Sequence, residues 1–277
     1  MRSMKPMNRL FIASFLLGFL FFDANEAQAQ KLMFISDELH ENADRFEVGM
    51  KGGTGRIRYH YNSFKVTKVK VGWTKSKYRS KLFSPLETAS SERKLSYEFI
   101  SHKGDTAWVN LNRNMNYEGI NREGLTFFGR NTSINIGGYQ EVLENSDNLF
   151  GVIETNSDDV VWSFIVSEKY GTIVGDRPIF VGWLTNGDRK IDILPVFDYQ
   201  NPGKKNLVDM MFGTEIWLKG FEFVENAKSL GAVQIGPMRK MFIVWFSKKN
   251  DPMTDFVMGS TFAALMWEYQ IDMDSNF

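Results

Sequence analysis

The chain has no cysteine among its 277 residues. That excludes disulfide staples, a thiol nucleophile, a thiolate metal site and a lipid carried on an N-terminal cysteine. Histidine is nearly as scarce: His40, His60 and His102 lie far apart and lack the local spacing that metal sites display. No serine sits in a G-x-S-x-G elbow. The glycine-rich stretch at 49–55, GMKGGTG, leads into a strand pattern, whereas a phosphate loop needs a helix N-terminus there. Gly231 and Gly236 have the spacing of another phosphate loop, but Pro237 replaces the required lysine. Nor is there an excess of either charge, with 33 basic and 33 acidic residues.

What is present begins with an address. Arg2, Lys5 and Arg9 precede the apolar run Leu10 to Phe22, which is followed by a polar stretch and Ala27-Gln28-Ala29, a small-x-small pattern. This predicts a secretory signal peptide over residues 1–29. The run of 13 residues is short of the roughly 20 needed to span a bilayer. An uncleaved anchor is the alternative. After cleavage, 30–277 forms a single β-rich domain, with a sub-boundary considered near 112–124, and the product is not an integral membrane protein. Export without cysteine points to a bacterial envelope, periplasmic or secreted, since eukaryotic secreted folds lean on disulfides.

Beyond residue 50 the pattern is β. Arg56 to Tyr61 and Phe64 to Trp73 alternate β-branched or aromatic residues with polar ones, and similar runs recur to Met241–Phe246. Asn186-Gly187 is the strongest hairpin signal, Asn226-Ala227-Lys228 a second, and 84–91 and 201–203 read as loops. Short connections between many strands predict an antiparallel sandwich or barrel.

The end of the chain differs. Asp251 and Pro252 open a helix whose apolar residues, from Met253 to Tyr269, cover every direction of a helical wheel. Such a helix must be surrounded, and it is too short for lipid. The fold class expected is therefore mainly β, an antiparallel barrel or barrel-like sandwich enclosing a hydrophobic C-terminal helix. The alternative is a helix packed on an open sandwich face. The run Phe242 to Tyr269, with GFEFVENAKSLGAVQIG before it at 220–236, resembles the end of the tubby-like superfamily that includes the phospholipid scramblases. The resemblance covers roughly 117–270 and implies a twelve-stranded barrel around a buried C-terminal helix. With no cysteine-rich palmitoylation run and no calcium loop, it implies architecture and not an activity.

The candidate site lies in the N-terminal third. From Lys51 to Leu86 there are ten basic residues and no acidic one. Arg56, Arg58, Lys68, Lys70 and Lys75, with Tyr59, Tyr61 and Trp73 among them, could pair with anions and stack on rings. Lys65, Lys77, Arg79 and Tyr78 continue the same mixture. The plain alternative is a solvated sheet face. The partner expected is an anionic lipid headgroup or an acidic glycan. Nucleic acid is not expected for an exported chain, and no cofactor or metal is expected. Two other functions stay open. One is a hydrolase of envelope glycans using a carboxylate pair drawn from Asp192, Glu215 and Glu222. The other is a structural or assembly partner, which a large exposed apolar patch would signal.

Overall fold

The structure is a computed structural model, and it describes residues 32–52, 57–80, 86–122, 125–128, 133–136, 139–169, 179–200, 218–235 and 242–275. Two compact units divide the chain, Met1–Leu32 and Met33–Phe277. The signal-peptide expectation falls on residues outside the described ones, and every described helix and strand belongs to the second unit.

Its elements are α1 (Asp37–Asn42), β1 (Ala43–Glu47), β2 (Gly49–Lys51), β3 (Arg58–Tyr61), β4 (Phe64–Val71), β5 (Lys75–Ser80), β6 (Leu86–Ser101), β7 (Thr106–Arg122), β8 (Leu125–Phe128) and β9 (Ser133–Ile136). There follow β10 (Tyr139–Thr155), β11 (Trp162–Lys169), β12 (Ile179–Thr185), β13 (Lys190–Val196), β14 (Gly220–Glu225), β15 (Lys228–Gln234), β16 (Ile243–Ser247) and α2 (Pro252–Ser275). Fourteen strands form one sheet in the order β1-β16-β15-β14-β13-β12-β11-β10-β7-β6-β4-β3-β2, with β5 also on β6, and β8 pairs β9 separately.

The two ends of that order, β1 and β2, are separated in the chain by Val48 alone, whose N–H donates to Phe242 O at 3.1 Å. The sheet therefore closes through a single bent strand. Counting β1 and β2 as one, and β5 as the continuation of β4 along β6, the fourteen strands occupy twelve positions round the ring. Phe64 on β4 and Phe246 on β16 meet across the interior at 5.9 Å between ring centres.

Why the chain folds so is visible in its alternation. β11 reads WSFIVSEK, with Trp162, Phe164, Val166 and Glu168 buried and their neighbours not. Inward rows of β4, β7, β10 and β15 meet α2, which is buried from Phe256 to Glu268. Phe256 lies against Phe64 (5.9 Å) and Phe99 (5.6 Å), and Phe262 against Phe223 (4.9 Å) and Phe246 (5.3 Å). The helix also has polar anchors to the wall: Tyr61 Oη donates to Gly259 O at 2.5 Å and Tyr97 Oη to Ser260 O at 2.6 Å. Burial raises the phenol pKa of both well above the ordinary tyrosine value. Asp251 caps the helix, accepting from Thr254 N at 2.8 Å and Thr254 Oγ1 at 2.6 Å. Burial alone would raise the Asp251 carboxyl, but these bonds and Arg189 hold it below the usual range.

Outside the ring, residues 33–42 cover β14 to β16. Met33, Ile35 and Leu39 are buried, Met33 N donates to Gln234 Oε1 at 3.0 Å, and α1 packs on β15 and β16. Gly220 makes room for this segment, because a Cβ there would meet Met33 Sδ at 2.5 Å and Val233 O at 2.1 Å.

Two expectations need adjustment. The loop expected over 84–91 is strand from Leu86 onward, in register with β7 over nearly its whole length. The polar run Thr88 to Ser91 hides it from pattern reading, since both of its faces are half-buried and no apolar alternation develops. The Asn186-Gly187 turn is a four-residue loop closed by Thr185 opposite Lys190, with Gly187 at φ +96° and Asn186 Oδ1 accepting from Arg189 N at 2.8 Å. The expected turn at Asn226-Ala227 has both residues at positive φ, as a two-residue hairpin demands.

Candidate anion-binding face

Strand parity decides what the basic third presents to solvent. On β3, Tyr59 and Tyr61 point inward and Arg58 and His60 outward. The two tyrosines are wall residues: Tyr59 packs edge-on against Phe242 at 5.9 Å and Tyr61 holds the helix. They do not share a surface with the cations beside them in sequence. Arg56 lies outside the described residues.

The other sequence-predicted residues are exposed. Arg58 stands opposite Lys51 of β2, and His60 opposite Lys65 of β4. Between Thr67 and Lys70 the register with β6 shifts, and Lys68 takes φ +47°, the left-handed region. This bulge keeps Lys70 on the outer face, opposite Ser96, and swings Lys68 Nζ to within 2.8 Å of Glu98 Oε1. On β5, Lys75, Lys77 and Arg79 stand opposite Glu92, Ser90 and Thr88, which share the outer parity of Glu98. Lys51, Arg58, Lys65, Lys70, Lys75, Lys77 and Arg79 thus form a cationic outer face across β2 to β5. Among the described basic residues from Lys51 to Arg79, Lys68 alone has an ion-pair partner. At the elbow between β4 and β5, Trp73 is 93% exposed. Tyr78 has the opposite parity to its basic neighbours.

Two features of this face carry no benefit to the fold. Like charges in direct cross-strand register, as in Lys51 with Arg58, destabilise a sheet. A bare indole next to them gains nothing from folding. Pattern reading found the charge run but missed Lys51 and His60 as members of the face; the period-two alternation of Arg58 and His60 was the available signal.

A second polar cluster lies inside. Arg93, Arg113, Asp147 and Glu168 point inward from β6, β7, β10 and β11, near Glu268 of α2. Arg113 Nε donates to both Asp147 oxygens at 2.8 and 2.9 Å, and Glu268 accepts from Arg93 Nη2 and, at 3.4 Å, from Arg113 Nη1. Arg113, Asp147, Glu168, Glu268 and Tyr269 line a small, partly open recess. Asp147 and Glu268 are occupied as guanidinium acceptors, an arrangement that closes the barrel interior with charge-compensated groups.

Of the carboxylates that a hydrolase would draw on, the two among the described residues each have other partners. Asp192 faces outward and is bound to Lys190 Nζ at 2.8 Å. Glu222 accepts from Ser36 N at 3.2 Å and from Ser229 Oγ at 2.5 Å, and so ties the outer segment to the wall. Glu215 lies outside the described residues. Among the described residues no group of three His, Asp or Glu side chains is arranged to hold a metal ion, and no helix is long and apolar enough to cross a membrane. Comparison with known proteins gives no match to any family model, curated protein or solved structure.

Proposed function

We propose that this chain is a non-enzymatic binding protein of the bacterial envelope, exported by its N-terminal leader, which holds anionic lipid headgroups on the outer face of β2 to β5. The observation that carries the reading is the set of seven outward cations, Lys51 to Arg79, that have no carboxylate partner among the described residues. Each basic side chain near an anionic surface contributes about 1 kcal/mol, so the set is ample for salt-sensitive docking. Trp73 suits the headgroup level, where amphipathic rings collect. The twelve strand positions around α2 support a place in the tubby-like superfamily, and architecture is all that such a place would bring.

A second reading, an acidic glycan, rests on the same exposed indole, because an aromatic face stacks on sugar rings as well. Co-sedimentation with vesicles, anionic and zwitterionic, and with a free acidic polysaccharide, across a salt series, separates the two. The lipid reading expects retention on anionic vesicles that falls steeply as salt rises, and about a tenfold loss in Lys65→Glu/Lys70→Glu. Retention by polysaccharide alone supports the glycan. Absence of salt-sensitive binding to either polymer or vesicle removes both.

A further inference from the structure

Between the basic sector of β2 to β5 and the strands that residues 33–42 cover, the outer wall sets rings among amides and hydroxyls. The register places Asn112 of β7, Phe150 of β10, Ile165 of β11, Trp183 of β12 and Asp192 of β13 in one outward row. Asn148 and Ser167 flank that row on one side and Ser163 and Thr185 on the other, with Val152 and Val181 among them. Phe150 is 45% exposed, and Ile165 and Trp183 are half-buried. This mixture is what a sugar chain meets well: the apolar faces of its rings stack on aromatics, and the hydroxyls at their rims find amides and hydroxyls.

Phe150 and Trp183 are two strand spacings apart, about 9.5 Å across the sheet, with Ile165 filling the gap. That separation is close to the two-sugar repeat of an extended β-linked chain. Lys190 Nζ lies over the Trp183 ring, 5.5 Å from its centre, so the indole turns a face and not an edge to that side. Asn112 Oδ1, directly opposite Phe150, is buried and accepts no hydrogen bond from the described residues, and a hydroxyl laid along the row would satisfy it. The charges at the two ends of the row cancel: Lys94, opposite Asn112, is paired with Glu92 at 3.2 Å, and Asp192 with Lys190 at 2.8 Å. The basic sector calls for an anion, whereas this one matches a polymer without charge. We infer that the outer face of β7 to β13 is a stacking platform for an uncharged, extended, β-linked glycan lying across the strands. Alternate sugars rest on Phe150 and Trp183, and their hydroxyls meet Asn112 and the flanking amides and hydroxyls. Lys190, whose side chain is exposed, moves off the indole as the sugar takes its place.

This binding needs no cation, so its test stands apart from that of the anionic-headgroup reading. The full chain is mixed with insoluble cellulose and, separately, with chitin in about 1 M salt, where charges are screened within about 3 Å, and the bound fraction is measured. Retention on at least one of the two polymers is expected. Phe150→Ala and Trp183→Ala should each weaken it about tenfold with an unchanged circular dichroism spectrum, and the two together about a hundredfold. Phe150, the more exposed ring, gives a reading even if removal of the half-buried indole disturbs the sheet. Absence of retention on both polymers, retention that fades as salt rises, or retention untouched by Phe150→Ala would each overturn the proposal.

Discussion

On β3, neighbouring residues serve opposite surfaces: Tyr59 and Tyr61 are almost fully buried against the helix end of the interior, while Arg58 and His60 are in water. The inner wall answers mainly to one requirement, the wrapping of a helix that has no polar side, and its buried residues are explained by what they touch. No such requirement governs the outer wall. Its basic sector over β2 to β5 sets like charges in register, and on β10 to β13 Phe150, Val181 and Leu194 stand in water among polar neighbours. Stability explains the inside and leaves the side chains of the outside unexplained.

The sharpest test of the inner half of this contrast is Phe262→Ala. The ring meets Phe223 at 4.9 Å and Phe246 at 5.3 Å and is fully buried, so its removal should cost about 4 kcal/mol in equilibrium denaturation. A loss below about 1 kcal/mol would mean that the helix is not enclosed. Next in size is Arg113→Met. Asp147 loses its bidentate partner and Glu268 one of its two arginines, and stranding buried carboxylates costs about 3 kcal/mol. Both are read from the shift in denaturation midpoint at unchanged slope.

The helix entrance gives a smaller effect with a pH signature. Burial raises the Asp255 carboxyl from 3.8 to about 6; Asp251 and Asp44 push the same way, and the hydrogen bond from Asn250 Nδ2 opposes them. Because the folded carboxyl holds its proton more tightly than the unfolded one, its contribution is full below about pH 4 and is lost as pH rises through about 6. Asp255→Asn should abolish that decline and make the protein more stable at pH 7 by about 1 kcal/mol, discounted from the full linkage value because the group is partly solvated. Thermal melts at pH 4 and pH 7 measure it, and a variant that keeps the wild-type slope would remove Asp255 as its source.

The same division governs what the sequence disclosed. The enclosed helix and the β class were legible because both follow from where apolar residues can go: Phe256 to Trp267 leaves no polar face, and β11 alternates without exception. The far reaches of β6, β7 and β10 were not, because Ser90, Asn112, Asn114 and Asn116 stand on strands there by pairing with one another's backbones and not by burial. Closure through Val48 was equally hidden, since β1 and β2 are short and their partners lie at opposite ends of the chain order. For the candidate face, composition located the cations, but only the strand parity separates Arg58 from Tyr59, and only the bulge at Lys68 brings Lys70 back to the outer side. The outward row Phe150, Ile165, Trp183 and Asp192 was beyond reach, because its members come from four strands and become neighbours only through register.

The smallest effect is the one that separates the two walls most cleanly. Arg58 stands directly opposite Lys51, so Arg58→Glu replaces a like-charge pair by an opposite-charge one. Cross-strand pairs of this kind differ by a few tenths of a kcal/mol, and the position is exposed, so the barrel should become more stable by about 0.5 kcal/mol. Phe262→Ala and Arg113→Met, on the inner wall, both move stability down. If the basic face exists for an anionic partner, the same variant that steadies the fold should weaken retention on anionic vesicles, and the two changes should shrink together as salt is added. A variant that gains stability and keeps its binding would show that the cations of β2 and β3 are only a solvated wall, leaving Lys70 to Arg79 and Trp73 to account for any docking.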